Sequence, residues 1–217
     1  MLLCCFLVFM KKKLKKQLGK IWYFIWEDNS IWSWIVNIIL AFVLIKFIVY
    51  PGLGFLLSTS HPVVAVVSES MEHDMGFDDW WEKNKDWYIK NGINKEYFEN
   101  FPLKNGFNKG DIMVLVGKKP EQIDIGDIVV FVSHRERPRS DPIIHRTVNK
   151  IDDGAYVVLK TKGDNNKEQI NGCNGNGCTD ETDILEEQLI GKAVLRIPLL
   201  GYIKIWFVEA LKFIGLV

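Results

Sequence analysis

Three hydrophobic patterns divide the chain. Residues 31–49 read IWSWIVNIILAFVLIKFIV, an almost unbroken apolar run that continues through Pro51 to position 57. About 20 apolar residues in a helix cross a bilayer core, so 31–57 is expected to be a transmembrane segment. Lys46 is its one charge, close enough to the far end to reach the headgroups. Trp22, Trp26, Trp32 and Trp34 gather at the near end, as an interfacial aromatic belt would. A buried core helix is the rival reading; the length of the run and the flanking lysines count against it. A cleaved leader fits poorly, since the run is too long and no small-x-small site follows before the first strand-like segment. The segment reads as a retained signal-anchor.

Between 58 and 196 the pattern changes to short Val- and Ile-rich runs at 63–67, 111–116, 127–132, 143–151, 155–162 and 189–197. Turns such as Lys109-Gly110-Asp111, Ile125-Gly126-Asp127 and Asp152-Asp153-Gly154 punctuate them. No long amphipathic helix alternates with these runs, which argues against a doubly wound α/β fold. The expected fold class is mainly β: a compact, mostly antiparallel domain behind an N-terminal transmembrane helix, with one α-helical insertion. That insertion is 72–109, acidic and aromatic, where Trp80/Trp81 and Trp87/Tyr88 stand seven apart and share a helix face. It either packs on the β core or offers its aromatics to lipid headgroups or substrate. The third pattern, at 197–217, is apolar but interrupted by Lys204, Glu209 and Lys212, which suits a helix lying in the membrane interface.

Charge changes the picture by its distribution. Lys+Arg and Asp+Glu both number 27, which points to no polyanionic partner and so to no nucleic acid. Six lysines fall within 11–20, making 1–30 a basic N-terminal region that the positive-inside rule keeps in the cytoplasm. Everything beyond about 58 then lies outside the cell membrane, in a single-pass arrangement. The first ten residues are apolar but too short to span. Four cysteines form two close pairs: Cys4/Cys5 reads as small apolar filling. Cys173/Cys178 brackets Asn174-Gly175-Asn176-Gly177, and this loop, within 165–183, would allow a disulfide. Half a zinc site is the alternative, but no second Cys/His pair at ligand spacing follows.

For chemistry, the sharpest local signal is Val66-Val67-Ser68-Glu69-Ser70-Met71-Glu72, a hydroxyl-bearing segment at a strand end about ten residues past the membrane run. A serine nucleophile needs a base, a group that orients the base, and oxyanion donors. The segment resembles the Ser-Gly-Ser-Met-Glu-Pro box of type I signal peptidases. Further pieces follow in the family's order: Lys109-Gly110-Asp111-Ile112; Ile125-Gly126-Asp127-Ile128-Val129-Val130-Phe131; Ile143-Ile144-His145-Arg146; Thr161-Lys162-Gly163-Asp164-Asn165-Asn166; and Ile190-Gly191-Lys192-Ala193. Histidine at the base position, where bacterial members carry lysine, is similar to the archaeal/endoplasmic-reticulum (Ser-His) subfamily. An imidazole is a competent base at neutral pH without the burial a lysine requires.

The resemblance implies a membrane-bound serine endopeptidase that removes signal peptides from exported preproteins. Ser70 is the implied nucleophile, His145 the base, and Ser68 with the Ser70 N–H the oxyanion donors. Asp164 matches the acid of the Lys-Gly-Asp box. For the family's second acid, Ile170 occupies the usual spacing and the cysteine loop follows. Counting back from Glu186-Glu187-Gln188 selects Asp180, with Asp183 in reserve. Implied partners are preprotein signal peptides, the lipid bilayer and the protein-export channel; no cofactor and no metal is implied. Glu69 and His73 depart from the box, replacing its Gly and Pro, and open a second reading: a non-catalytic signal-peptide-binding subunit.

Overall fold

The computed structural model describes residues 2–154 and 156–213, in two compact units divided between Leu53 and Gly54. In the first unit α1 (Leu2–Trp26) carries the lysine cluster, and α2 (Ile31–Leu44) follows it. Ser30 caps α2 through its hydroxyl on the Ser33 N–H, and Asp28 in turn accepts from the Ser30 N–H and hydroxyl. The few polar side chains of α2 are turned onto α1: Ser33 donates to the Phe24 carbonyl at 2.6 Å and Asn37 to the Ile25 carbonyl at 2.8 Å. The helix continues through a π-helical turn (Ile45–Val49) into α3 (Tyr50–Leu56). That turn stands directly before Pro51, which has no N–H to give to the helix ladder. From Ile31 to Leu56 the run is 26 residues, about 39 Å at 1.5 Å per residue, with most of its large apolar side chains exposed. It is the one helix among the described residues long and apolar enough to cross a membrane.

The second unit is built on a six-stranded antiparallel sheet in the order β1-β2-β8-β3-β4-β5. Its strands are β1 (Val63–Ala65), β2 (Ile112–Val116), β3 (Ile128–Phe131), β4 (Ile143–Asp152), β5 (Val157–Lys162) and β8 (Leu189–Ile197). The fold is therefore mainly antiparallel β. Strand β3 is buried on both faces because successive side chains alternate. Ile128 and Val130 join Val66, Met71, Phe107, Met113, Leu115 and Ala193, while Val129 and Phe131 join Ile123, Val157, Leu159 and Ile184. The first expected strand is shorter than its apolar run. Beyond Ala65, Val66 leaves the ladder yet stays buried, its N–H on the Asp111 carbonyl at 2.8 Å and its carbonyl taking the Gly110 N–H at 2.9 Å. Ala155, at the head of another expected strand, lies outside the described residues.

Residues 72–109 form α4 (Phe77–Lys90) and α5 (Lys95–Glu99). Trp80, Trp81, Tyr88, Ile93, Phe98 and Phe101 close a third cluster with Val148 of β4. At about 25 cal/mol per Å² and 150–250 Å² per ring, each buried aromatic contributes up to roughly 4–6 kcal/mol. These rings are core, not a surface for lipid; of the aromatics in this stretch Tyr97 is the exposed one, and Phe77 and Trp87 are half-buried. A separate hairpin, β6 (Asn171–Asn174) and β7 (Gly177–Asp180), is closed by a Cys173–Cys178 disulfide, so those sulfurs are not free for zinc. At the C-terminal end α6 spans Tyr202–Phe213; positions 214–217 of the expected apolar segment lie outside the described residues.

Candidate active site

Past Val66 the chain makes a tight turn at 69–72, with the Glu72 N–H on the Glu69 carbonyl. The loop 163–166 clamps that turn. Asn165 gives its N–H to the Ser70 carbonyl at 2.8 Å and its amide to the Glu69 carbonyl at 3.1 Å. Position 163 has to be glycine for this approach. A Cβ there would stand 2.6 Å from Asn166 Nδ2 and 2.9 Å from both His145 Nε2 and the Ser70 carbonyl oxygen. The clamp sets Ser70 Oγ 2.8 Å from His145 Nε2, so the serine hydroxyl donates to the imidazole. His145 sits on β4 opposite Val129 and is buried. Its Nδ1–H donates to Oε1 of Glu181, which is wholly buried. Glu181 accepts on every side: Oε1 also takes the Thr161 hydroxyl at 3.2 Å, and Oε2 takes the Ile170 N–H at 2.6 Å. Ser68 Oγ lies 3.1 Å from Ser70 Oγ. The group opens into a cleft of about 610 Å³ whose walls include Ala65, Val67, Ile143, Ile144 and Ile170. A hydroxyl, an imidazole and a buried carboxylate in series beside a cleft can perform acyl transfer.

No family model matches the chain. Curated proteins do. The signal peptidase complex catalytic subunit SEC11 of Verticillium alfalfae is 28% identical over 165 residues, covering 75% of this chain and 73% of the relative. That of Colletotrichum graminicola is 27% identical with the same coverage, and that of Pyricularia oryzae 32% identical over 49% of this chain and 59% of the relative. The chain is a homologue of signal peptidase catalytic subunits.

In this signal peptidase homologue the carboxylates chosen from the sequence stand elsewhere. Asp164 does not touch His145. It is wholly buried against Arg146, which reaches its carboxylate from Nε (2.9 Å) and Nη2 (2.7 Å); Tyr88 donates to it at 3.2 Å, and His73 Nε2 is 3.1 Å away. Asp180 caps a turn, accepting the N–H and hydroxyl of Thr182 at 2.8 and 2.6 Å. Asp183 pairs with Arg135 at 2.7 Å near the surface. The chain bends just past β7, and at that bend the side chain turned inward is that of Glu181, wholly buried, while Asp180 serves the turn itself. Counted back from Glu186-Glu187-Gln188, Asp180 lies one residue beyond the carboxylate that meets His145, which is a glutamate and not an aspartate.

Sequence reasoning also missed the group beneath the site. Arg146 uses its remaining N–H donors on the carbonyls of Pro102, Leu103 and Gly126, and lies over the rings of Phe98 and Phe101 at 4.8 and 5.8 Å. Burial alone would raise the Asp164 carboxyl; the Arg146 guanidinium and the hydrogen bonds from His73 and Arg146 overcome it and hold the group well below the usual carboxylate range. Tyr88 is pushed well above its ordinary value by burial and by the Asp164 charge. Lys162, buried with Nζ 4.6 Å from the Tyr88 ring centre and 3.0 Å from the Gly163 carbonyl, is lowered by that burial to about 8. Of the two departures, His73 is buried and stacked on Trp80 at 3.8 Å, while Glu69 is exposed and uses only its backbone carbonyl.

Proposed function

We propose that this chain is a membrane-bound serine endopeptidase that cuts N-terminal signal peptides from exported preproteins. The observation that carries the reading is the series Ser70 Oγ, His145 and Glu181 beside the cleft. Ser70 Oγ attacks the scissile carbonyl carbon as His145 Nε2 takes its proton. Glu181 keeps the imidazole in the tautomer that can accept this proton and stabilises the cation formed. The Ser70 N–H and the Ser68 hydroxyl receive the oxyanion. His145 then returns the proton to the leaving amine, and a water activated by the same imidazole releases the signal peptide from Ser70. The apolar cleft walls suit the small residues that precede such cuts.

The 31–56 helix anchors the chain in an export membrane, with the lysine-rich α1 on the cytoplasmic side and the sheet domain opposite. The relatives' name speaks of a complex, and on that analogy this chain works with partner subunits as well as preprotein, bilayer and export channel. The test is cleavage of a model preprotein by the detergent-solubilised full chain. Release of the signal peptide by wild type, with loss in Ser70→Ala and in His145→Ala, supports the reading. Cleavage that survives either substitution overturns it, and preprotein binding without cleavage by the wild type would make the chain a binding subunit.

A further inference from the structure

The chain has five arginines, and three are committed to buried or surface carboxylates: Arg135 to Asp183, Arg146 to Asp164, Arg196 to Asp111. Arg137 is exposed. Arg139 differs from all four. It is half-buried, it lines the same cleft as Ser70 and His145, and among the described residues its guanidinium has neither a hydrogen bond nor an ion pair. Its backbone is fixed: the N–H donates to Ser133 Oγ at 2.8 Å, and residues 137–139 pack so closely on Gly177 of the disulfide hairpin that a Cβ there would stand 3.0 Å from the Arg139 nitrogen. Asp141 also lines the cleft but is exposed, holds only a 3.4 Å contact from Ser140 and lies beyond pairing distance of Arg139. A guanidinium partly withdrawn from water beside apolar walls and left without an acceptor is set to take a carboxylate, which it can grip with two parallel N–H bonds.

Building on the peptidase reading above, we propose that Arg139 is a specificity determinant that receives an acidic side chain of the bound preprotein at one fixed position near the scissile bond. The experiment uses the full chain in detergent and a series of preprotein peptides differing only by Glu, Gln or Lys scanned through the positions flanking the cut. The readout is the ratio of kcat/KM values within one enzyme, so a general loss of activity in a variant cancels. At one position the wild type should favour Glu over Gln by about tenfold, Arg139→Lys should keep part of that preference, Arg139→Gln should lose it, and Arg139→Glu should turn it toward Lys. Equal ratios at every position in the wild type overturn the proposal, as does a Glu preference that Arg139→Gln retains. Either result leaves the peptidase reading standing, because the peptides are still cut; that reading fails only if none of them is.

Discussion

Glu181→Gln is the sharpest probe of the site because the glutamate is surrounded by donors alone. Oε1 takes the His145 Nδ1–H and the Thr161 hydroxyl, and Oε2 takes the Ile170 N–H at 2.6 Å. A glutamine of the same shape has only two ways to sit. With its NH₂ toward His145 it donates to Nδ1, forcing the ring proton onto Nε2, where it can no longer accept from Ser70. With its NH₂ toward Ile170 it sets donor against donor in a buried place, at about 1–3 kcal/mol. The first arrangement costs activity and the second costs stability, and the first escapes the buried clash. We therefore expect kcat for preprotein cleavage to fall by roughly 10³–10⁴, the order seen when the acid of a serine-protease triad becomes an amide. Unfolding should shift by less than about 3 kcal/mol. Single-turnover cleavage with a saturating preprotein, followed beside chemical denaturation, measures both. Asp180→Asn is the paired control, expected to slow cleavage less than tenfold since Asp180 holds only Thr182. A folded Glu181→Gln within tenfold of wild type, or an Asp180→Asn as damaged as Glu181→Gln, would refute the reasoning.

Further outcomes follow from the charges and the hairpin. Arg146→Met leaves Asp164 buried without its guanidinium partner and should cost about 3–5 kcal/mol in urea unfolding. Because the folded Asp164 titrates below the free carboxyl near 3.9, its contribution is complete above about pH 4 and drains away on further acidification; Asp164→Asn should flatten that part of the stability curve. Lys162 has the opposite lesson: at about 8 folded against 10.5 for a free lysine side chain, the unfolded chain holds more protons between these values. Stability should therefore rise by about 3 kcal/mol from pH 8 toward 10.5, offset above 10 by Tyr88, which resists ionising, and Lys162→Met should remove the rise. Reducing the Cys173–Cys178 bridge frees a short loop and should lower stability by about 2 kcal/mol. Since Ile170, Gly175 and Asn176 border the cleft, peptide KM should rise at least as much as kcat falls, compared in kinetics with and without reductant.

Much of the fold can be read from single runs of residues, because each depends on local chemistry. The apolar run from 31 needs a bilayer or a core, and Val/Ile runs broken by Gly-Asp turns need a sheet. The elements that escape such reading have little apolar signal of their own. The β6–β7 hairpin is polar and fully exposed along β6, and is made by a two-residue turn and a disulfide. In the site, the juxtaposition of Ser70 with His145 follows motifs 75 residues apart, which only resemblance could connect. The Asp164–Arg146 pair is less legible still. Both residues lie in motifs assigned to catalysis, and only the packed α4–α5 aromatics show that this carboxylate serves the core.

The carboxylate on His145 was hidden by an excursion of the chain that begins and ends at one point. Ile170 stands at the spacing from Asp164 where the family's second acid is expected, and Glu181 gives its N–H to the Ile170 carbonyl at 2.9 Å while Oε2 takes the Ile170 N–H in return. Positions 171–180 between them are the disulfide hairpin and nothing else. The hairpin thus enters and leaves without displacing the backbone at its base, and the acid moves from the residue before the excursion to the residue after it. Such an insertion is tolerated because closing a short hairpin costs little once its strands pair and its cysteines join. It also brings a new wall to the cleft. A chain in which 171–180 is replaced by a two-residue turn should therefore keep the Ser70–His145–Glu181 series and lose the part of peptide selectivity that depends on Gly175 and Asn176. A shortened chain that folds but has lost cleavage of every peptide would show that the hairpin holds Glu181 in place as well as shaping the cleft.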